Sequence, residues 1–183
     1  MIHKQTMPLR IRARSPLTLG VIAVLIVGVS AVWRGPILIL WNASASVPVG
    51  LYAVLPKAAI HDGNLAVVDL PVDTRDLAAQ RRYLPPGVLL IKPVAAETGE
   101  RVCRRGYRIY INDAWAADAK SADVAHRPLP DWQGCRLLSK REVFLMNRQV
   151  RDSFDGRYFG PIDMHLSHGR AWPLLTFPAH QNR

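Results

Sequence analysis

The apolar residues of this chain fall into one long run near the start and short clusters afterwards. Residues 16–33 carry no charge. At 1.5 Å of rise per residue they cover roughly 27 Å of a bilayer core, which predicts a single N-terminal transmembrane helix. Arg34-Gly35-Pro36 interrupts the run, and Ile37-Leu38-Ile39-Leu40-Trp41 adds a second apolar patch that carries the predicted anchor to residue 41, at the far interface. Beyond it come Leu65-Ala66-Val67-Val68, Val88-Leu89-Leu90-Ile91, Arg108-Ile109-Tyr110-Ile111 and Val143-Phe144-Leu145-Met146. Turn signals separate them at Asp62-Gly63-Asn64, Pro85-Pro86-Gly87, Thr98-Gly99-Glu100 and Asn112-Asp113. Short β-branched runs between such turns predict a mostly β domain. Residues 73–82 predict one short helix, with Asp73 or Thr74 as N-cap and Arg81-Arg82 in its last turn. Residues 114–134, with Pro128 and Pro130, read as a loop.

Charge orients the anchor. The net charge is +10, and residues 1–34 carry half of it on Lys4, Arg10, Arg12, Arg14 and Arg34, with no acid. The positive-inside rule then makes residues 1–15 a cytoplasmic basic tail, 16–41 the anchor and 42–183 an extracytoplasmic domain, facing the periplasm from a bacterial inner membrane. Ala43-Ser44-Ala45 also fits a signal-peptide cleavage site, but the apolar run is longer than a signal peptide needs. The remaining basic residues form no run longer than Arg81-Arg82 or Arg104-Arg105. That pattern excludes a nucleic-acid footprint and suits a surface near anionic headgroups, so the bilayer is an expected partner.

Cys103 and Cys135 lie on the oxidising side, where a bridge between them is expected and two separate buried thiols are the alternative. No cluster has zinc-ligand spacing: His165 and His168 lie three apart but lack partners. Neither a metal nor an organic cofactor is expected.

The candidate chemistry begins at Asn42-Ala43-Ser44-Ala45-Ser46-Val47-Pro48-Val49-Gly50-Leu51-Tyr52. Ser46 sits between small residues, and Pro48 and Gly50 are expected to force a turn that presents its hydroxyl. In an extended segment Ser44 returns to the same face two residues earlier, where its hydroxyl and the Ser46 N–H can form an oxyanion hole. A Ser/Ala-rich linker leaving a membrane has the same composition. Serine needs a base, and Lys92 ends an apolar run; strand alternation puts it on the face of Val88 and Leu90. Burial there lowers a lysine pKa and makes it a base, whereas a strand-end lysine that reaches water stays a cation. The rival catalytic set is Ser46 with His165 or His168 and Asp163, although nothing in the spacing links those histidines to the serine.

The segment from Ser46 to Tyr52 resembles the nucleophile box of type I signal peptidases, and most closely their conjugative-transfer (TraF-type) branch. The likeness continues in order through His61-Asp62-Gly63-Asn64-Leu65, Ile91-Lys92-Pro93-Val94, Arg108-Ile109-Tyr110-Ile111-Asn112-Asp113 and Ser153-Phe154-Asp155-Gly156-Arg157-Tyr158-Phe159-Gly160-Pro161. The resemblance implies a signal-peptidase-like β domain in which Ser46 is the nucleophile, Lys92 the general base and Ser44 an oxyanion donor. Ser153 and Asp155 would support the lysine, with Asp155 paired to Arg157. Val47 stands where the family usually has methionine, and Gly156 where it usually has serine.

The activity implied is that of a serine endopeptidase with a Ser-Lys dyad, cutting after small residues. Its expected substrate is a membrane-inserted protein, a pro-pilin of conjugative type IV secretion, which it would cleave or circularise. A general signal peptidase and a non-enzymatic assembly protein of the secretion apparatus are the alternatives.

Overall fold

The computed structural model describes residues 16–32 and 35–177. The basic tail lies outside the described residues. Helix α1 covers Pro16–Val32, and among the described residues no helix is both long and apolar enough to cross a membrane. Residues from Pro36 onward form a compact unit separate from α1. The second apolar patch, read from sequence as the end of the anchor, belongs to that unit: β1 (Ile39–Asn42) pairs antiparallel with β2 (Val49–Leu55). The patch carries β-branched Ile37 and Ile39 and leads into Asn42, whose side chain is buried in the domain, so strand pairing wins over helix extension.

The domain is built from two antiparallel sheets. The larger also contains β3 (Leu65–Val68), β4 (Leu90–Ala96), β9 (Glu142–Leu145), β10 (Ile162–Asp163) and β11 (Ser167–Phe177), in the order β1-β2-β11-β3-β4-β9-β10. The smaller contains β5 (Arg101–Arg105), β6 (Arg108–Ile111), β7 (Ala114–Asp118) and β8 (Gly134–Leu137), in the order β7-β6-β5-β8. Helix α2 (Val72–Gln80) and the single turn α3 (Gly156–Phe159) complete the named helices.

Alternation along β3 and β4 sorts the core. Ala66, Val68, Leu90 and Val94 pack in one cluster with Val143 and Leu145, whereas Val67 and Ile91 point the other way, to Tyr52, Val54 and Ala171. A third cluster, around Val102, Ile109 and Phe144, packs the smaller sheet against Ala95 and Ala96 at the end of β4. Gly50 lets β11 pair closely with β2: a Cβ there would lie 2.1 Å from the Leu175 carbonyl oxygen, at a φ of +151°. Only glycine accepts both conditions.

Three local expectations are corrected. Helix α2 begins at Val72 with Pro71 at its N-cap and no side-chain cap, because proline's fixed φ already suits helix entry; Arg81 and Arg82 lie past its end. Residues 114–118 are a strand rather than loop, since Asn112 and Asp113 both adopt positive φ and turn the chain back onto β6. Strand β4 starts at Leu90, so Lys92 shares its face with Leu90 and Val94 while Val88 precedes the strand.

Candidate active site

The loop between β1 and β2 is held from within by Asn42. Its Nδ2 donates to the carbonyls of Ser44 at 2.8 Å, Val47 at 3.2 Å and Pro48 at 3.1 Å, and its Oδ1 accepts from the Ser44 N–H. The Tyr52 hydroxyl also donates to Pro48 O, at 2.7 Å. The turn falls at Ala45 and Ser46, ahead of Pro48, and Gly50 is already in β2. Ser46 as a residue is 8% exposed, so the loop does not project it as its composition suggested; instead it lines a partly open cavity. Ser44 and Ser46 share a face: their hydroxyl oxygens are 2.8 Å apart, and the Ser46 N–H donates to Ser44 Oγ at 3.3 Å.

Lys92 reaches the same cavity from the centre of β4. It is 2% exposed. Burial disfavours the ammonium, Asp155 opposes that effect and Arg157 adds to it; the result is a pKa lowered to about 8. The amine donates to Ser153 Oγ at 2.5 Å. A hydroxyl acceptor orients the amine without adding the full negative charge that would keep it protonated.

That negative charge is engaged elsewhere. Asp155 and Arg157 are both buried, and Arg157 Nε and Nη2 reach the two carboxylate oxygens at 2.9 Å each. Arg157 also donates to the carbonyls of Val150, Arg151 and Ser153, which fixes the segment carrying Ser153. Gly156 is packed so closely that a Cβ would lie 2.7 Å from Leu145 O, which leaves no room for the serine usual at this place in the resembling sequences.

Asn147, which no motif or periodicity marks, ties the two halves together. Its N–H donates to Asp155 Oδ2 at 3.1 Å, and its side-chain amide donates to the Ser46 carbonyl. Asn42 opens the serine segment, and nothing in its spacing marks the role it takes in the fold. Asparagine is common in turns, so neither residue carried a signal by type alone.

Ser44, Ser46, Lys92 and Ser153 thus line one cavity of about 370 Å³. Asp155 and Arg157 sit behind it. Chemically, a serine hydroxyl and a desolvated amine lining one cavity, with a second hydroxyl and a backbone N–H next to the serine, are groups of the kinds that general-base activation of a hydroxyl and stabilisation of an oxyanion need. The histidines of the rival set lie outside the cavity lining: His165 pairs with Asp163 at 3.0 Å and His168 with Asp69 at 2.9 Å. Cys103 and Cys135 face each other in the β5–β8 register and are joined as a disulfide in the smaller sheet. Among the described residues no group of three or more His, Cys, Asp or Glu side chains could hold a metal ion.

Residues 12–175 match the family described as signal peptidase, peptidase S26. Two proteins of Escherichia coli, both described as plasmid transfer protein TraF, are 31% and 34% identical to this chain over 146 and 147 residues; each alignment covers 74% of this chain and 82% of the relative. A crystal structure of a signal peptidase I from Enterococcus faecalis aligns at 16% identity with a TM-score of 0.35, over 63% of this chain and 98% of that one. The length of the family match and the level of identity place this chain in the peptidase S26 family of signal peptidases.

Proposed function

We propose that this chain is a membrane-anchored serine endopeptidase in which Ser46 is the nucleophile and Lys92 the general base, and that its substrate is a pro-pilin of a conjugative type IV secretion apparatus. The observation that carries the proposal is the Lys92 amine, buried, lowered to about 8 and held by Ser153 in the cavity that Ser44 and Ser46 line. At pH 7 roughly one such lysine in ten is neutral, against about one in 2,500 at the ordinary value.

The reaction is acyl transfer. Ser46 Oγ attacks the scissile carbonyl while neutral Lys92 Nζ takes the hydroxyl proton. Negative charge on the carbonyl oxygen is met by the Ser44 hydroxyl and the Ser46 N–H, which must exchange their mutual contact for the substrate. Collapse breaks the C–N bond, and the Lys92 ammonium gives its proton to the leaving amine. The Ser46 ester is then attacked by water, giving a free carboxylate, or by the substrate's own N-terminal amine, giving a circular product. In both cases Lys92 removes the attacking group's proton.

An anchor at residues 16–33, behind the basic tail, would tether the domain on the periplasmic side of the inner membrane, the side on which the substrate's own membrane segment ends. The link to plasmid transfer is supported by the two TraF relatives. Intact-mass spectrometry of the candidate pilin, from cells with the wild-type protein or Ser46→Ala, tests the reading. A shortened or circular pilin is expected only with the wild type. Full processing by Ser46→Ala would overturn it.

A further inference from the structure

Residues 119–133 connect β7 to β8 as a strap that contributes Lys120, Ala122, Asp123, Val124 and Leu129 to the cavity wall. Apart from the bridge between Ala122 and Pro128 it has no strand pairing, yet it is tied along its whole length. The Lys120 N–H donates to the Tyr158 hydroxyl at 3.2 Å, Arg81 donates to Pro128 O at 2.6 Å, Arg104 to Pro130 O at 3.3 Å, and the Trp132 indole to Gly156 O at 3.0 Å.

Asp123 is the centre of these ties. Its side chain is 7% exposed and accepts from the Tyr83 hydroxyl, from Arg127 Nε at 2.7 Å, and from the N–H groups of Ala125 and Arg127 at 2.9 Å each. The Arg127 guanidinium also lies over the Tyr83 ring, 5.5 Å from its centre. Burial works against the Asp123 charge, but the bonds from Tyr83 and Arg127 more than offset it and hold the carboxyl well below the usual range. The backbone on both sides of the contact is bent to reach it. Arg82, just before Tyr83, has a φ of +60°, and His126, just before Arg127, a φ of +57°. Such conformations are costly for residues with a Cβ and persist where surrounding contacts impose them.

We propose that Asp123 is a specificity-determining positioning residue: by gripping Tyr83 and Arg127 it holds the strap close to residues 83 and 84 and limits the bulk of the substrate side chain admitted beside Ser46. The proposal rests on the reading of the cavity as a peptidase site. Val124 and Leu129 on the strap and Leu84, Leu90 and Phe154 across from them form apolar walls. Walls of that kind discriminate by size only if they do not yield. At the middle of the strap, between the ties at its two ends, hydrogen bonds to a charged carboxylate hold this wall against residue 83; an amide or a missing hydroxyl would let it give there.

The test uses the full chain in detergent micelles and two peptides spanning the mapped pilin cut, with alanine or phenylalanine before the scissile bond. Asp123→Asn and Tyr83→Phe are each expected to raise kcat/KM on the phenylalanine peptide by about tenfold and to narrow the alanine-to-phenylalanine ratio. A misfolded variant cannot gain activity, so the gain reports on the strap. No gain in either variant overturns the proposal. The affinities of the same two peptides for Ser46→Ala, with and without Asp123→Asn, give the ratio without chemistry. Cleavage by Ser46→Ala would instead overturn the nucleophile assignment, and the two failures stay distinct.

Discussion

Arg157 binds Asp155 through both carboxylate oxygens, Nε to Oδ1 and Nη2 to Oδ2, each at 2.9 Å. The same carboxylate acts on Lys92 by raising its pKa, and the guanidinium by lowering it. Pairing the two therefore leaves burial as the dominant influence on the amine. It also places a strongly hydrogen-bonded ion pair under the segment that presents Ser153.

The pH dependence follows from Lys92. Its neutral form is the active base, so kcat/KM for pilin cleavage should rise with pH through about 8 and then level off. Lys92→Arg should be as inactive as Ser46→Ala, because a guanidinium stays protonated. His165→Ala and His168→Ala should retain substantial activity. Cleavage in membrane preparations at matched expression checks the set; a Lys92→Arg enzyme that cleaves would remove the dyad.

Ser44→Ala should lose turnover by roughly a hundred- to a thousandfold, as for one oxyanion donor, because the Ser46 N–H remains. The loss should appear in kcat with little change in KM, since the contact is made with charge that develops in the transition state. Steady-state kinetics on the peptide substrate separates the two.

Breaking the buried pair should have two readouts. Removing either partner strands a buried charge and should cost about 3–5 kcal/mol in thermal or denaturant unfolding. The pH profiles should move in opposite directions: Arg157→Met to higher pH, because a cation that lowers the Lys92 pKa is gone, and Asp155→Asn to lower pH. Shifts of the same sign in both variants would contradict this electrostatic account.

The Cys103–Cys135 bridge spans a sequence separation of 32. Loop-closure entropy then assigns it a stabilisation of about 3–4 kcal/mol, so Cys135→Ala should unfold at correspondingly lower denaturant. Non-reducing peptide mapping should recover the two cysteines in one cross-linked fragment. Two freely alkylatable thiols in native protein would remove the bridge.

Four of the strands, β3, β4, β6 and β9, were readable from sequence because alternation is local: Leu65-Ala66-Val67-Val68 states by itself which residues share a face. The same logic put Lys92 with Leu90 on one side of a strand. Ser44 and Ser46, two apart, could be paired in advance for the same reason. What local pattern could not supply was competition between partners. The patch ending in Trp41 is apolar enough to extend an anchor, and only pairing with Leu51 and its neighbours makes it a strand. Ala114–Asp118 reads as loop until β6 offers it an edge. The contacts that organise the cavity are longer still: Lys92 to Ser153 across 61 positions, and Asn147 to Ser46 across 101. Asparagine, tyrosine and aspartate carry no periodicity, so the roles of Asn147, Tyr83 and Asp123 exist only once folding has brought distant segments within hydrogen-bonding distance. Sequence alone determined the family, a mostly β domain and which serine and lysine were candidates for chemistry. Tertiary structure decided which polar groups meet, because a hydrogen bond depends on position in space and not on spacing along the chain.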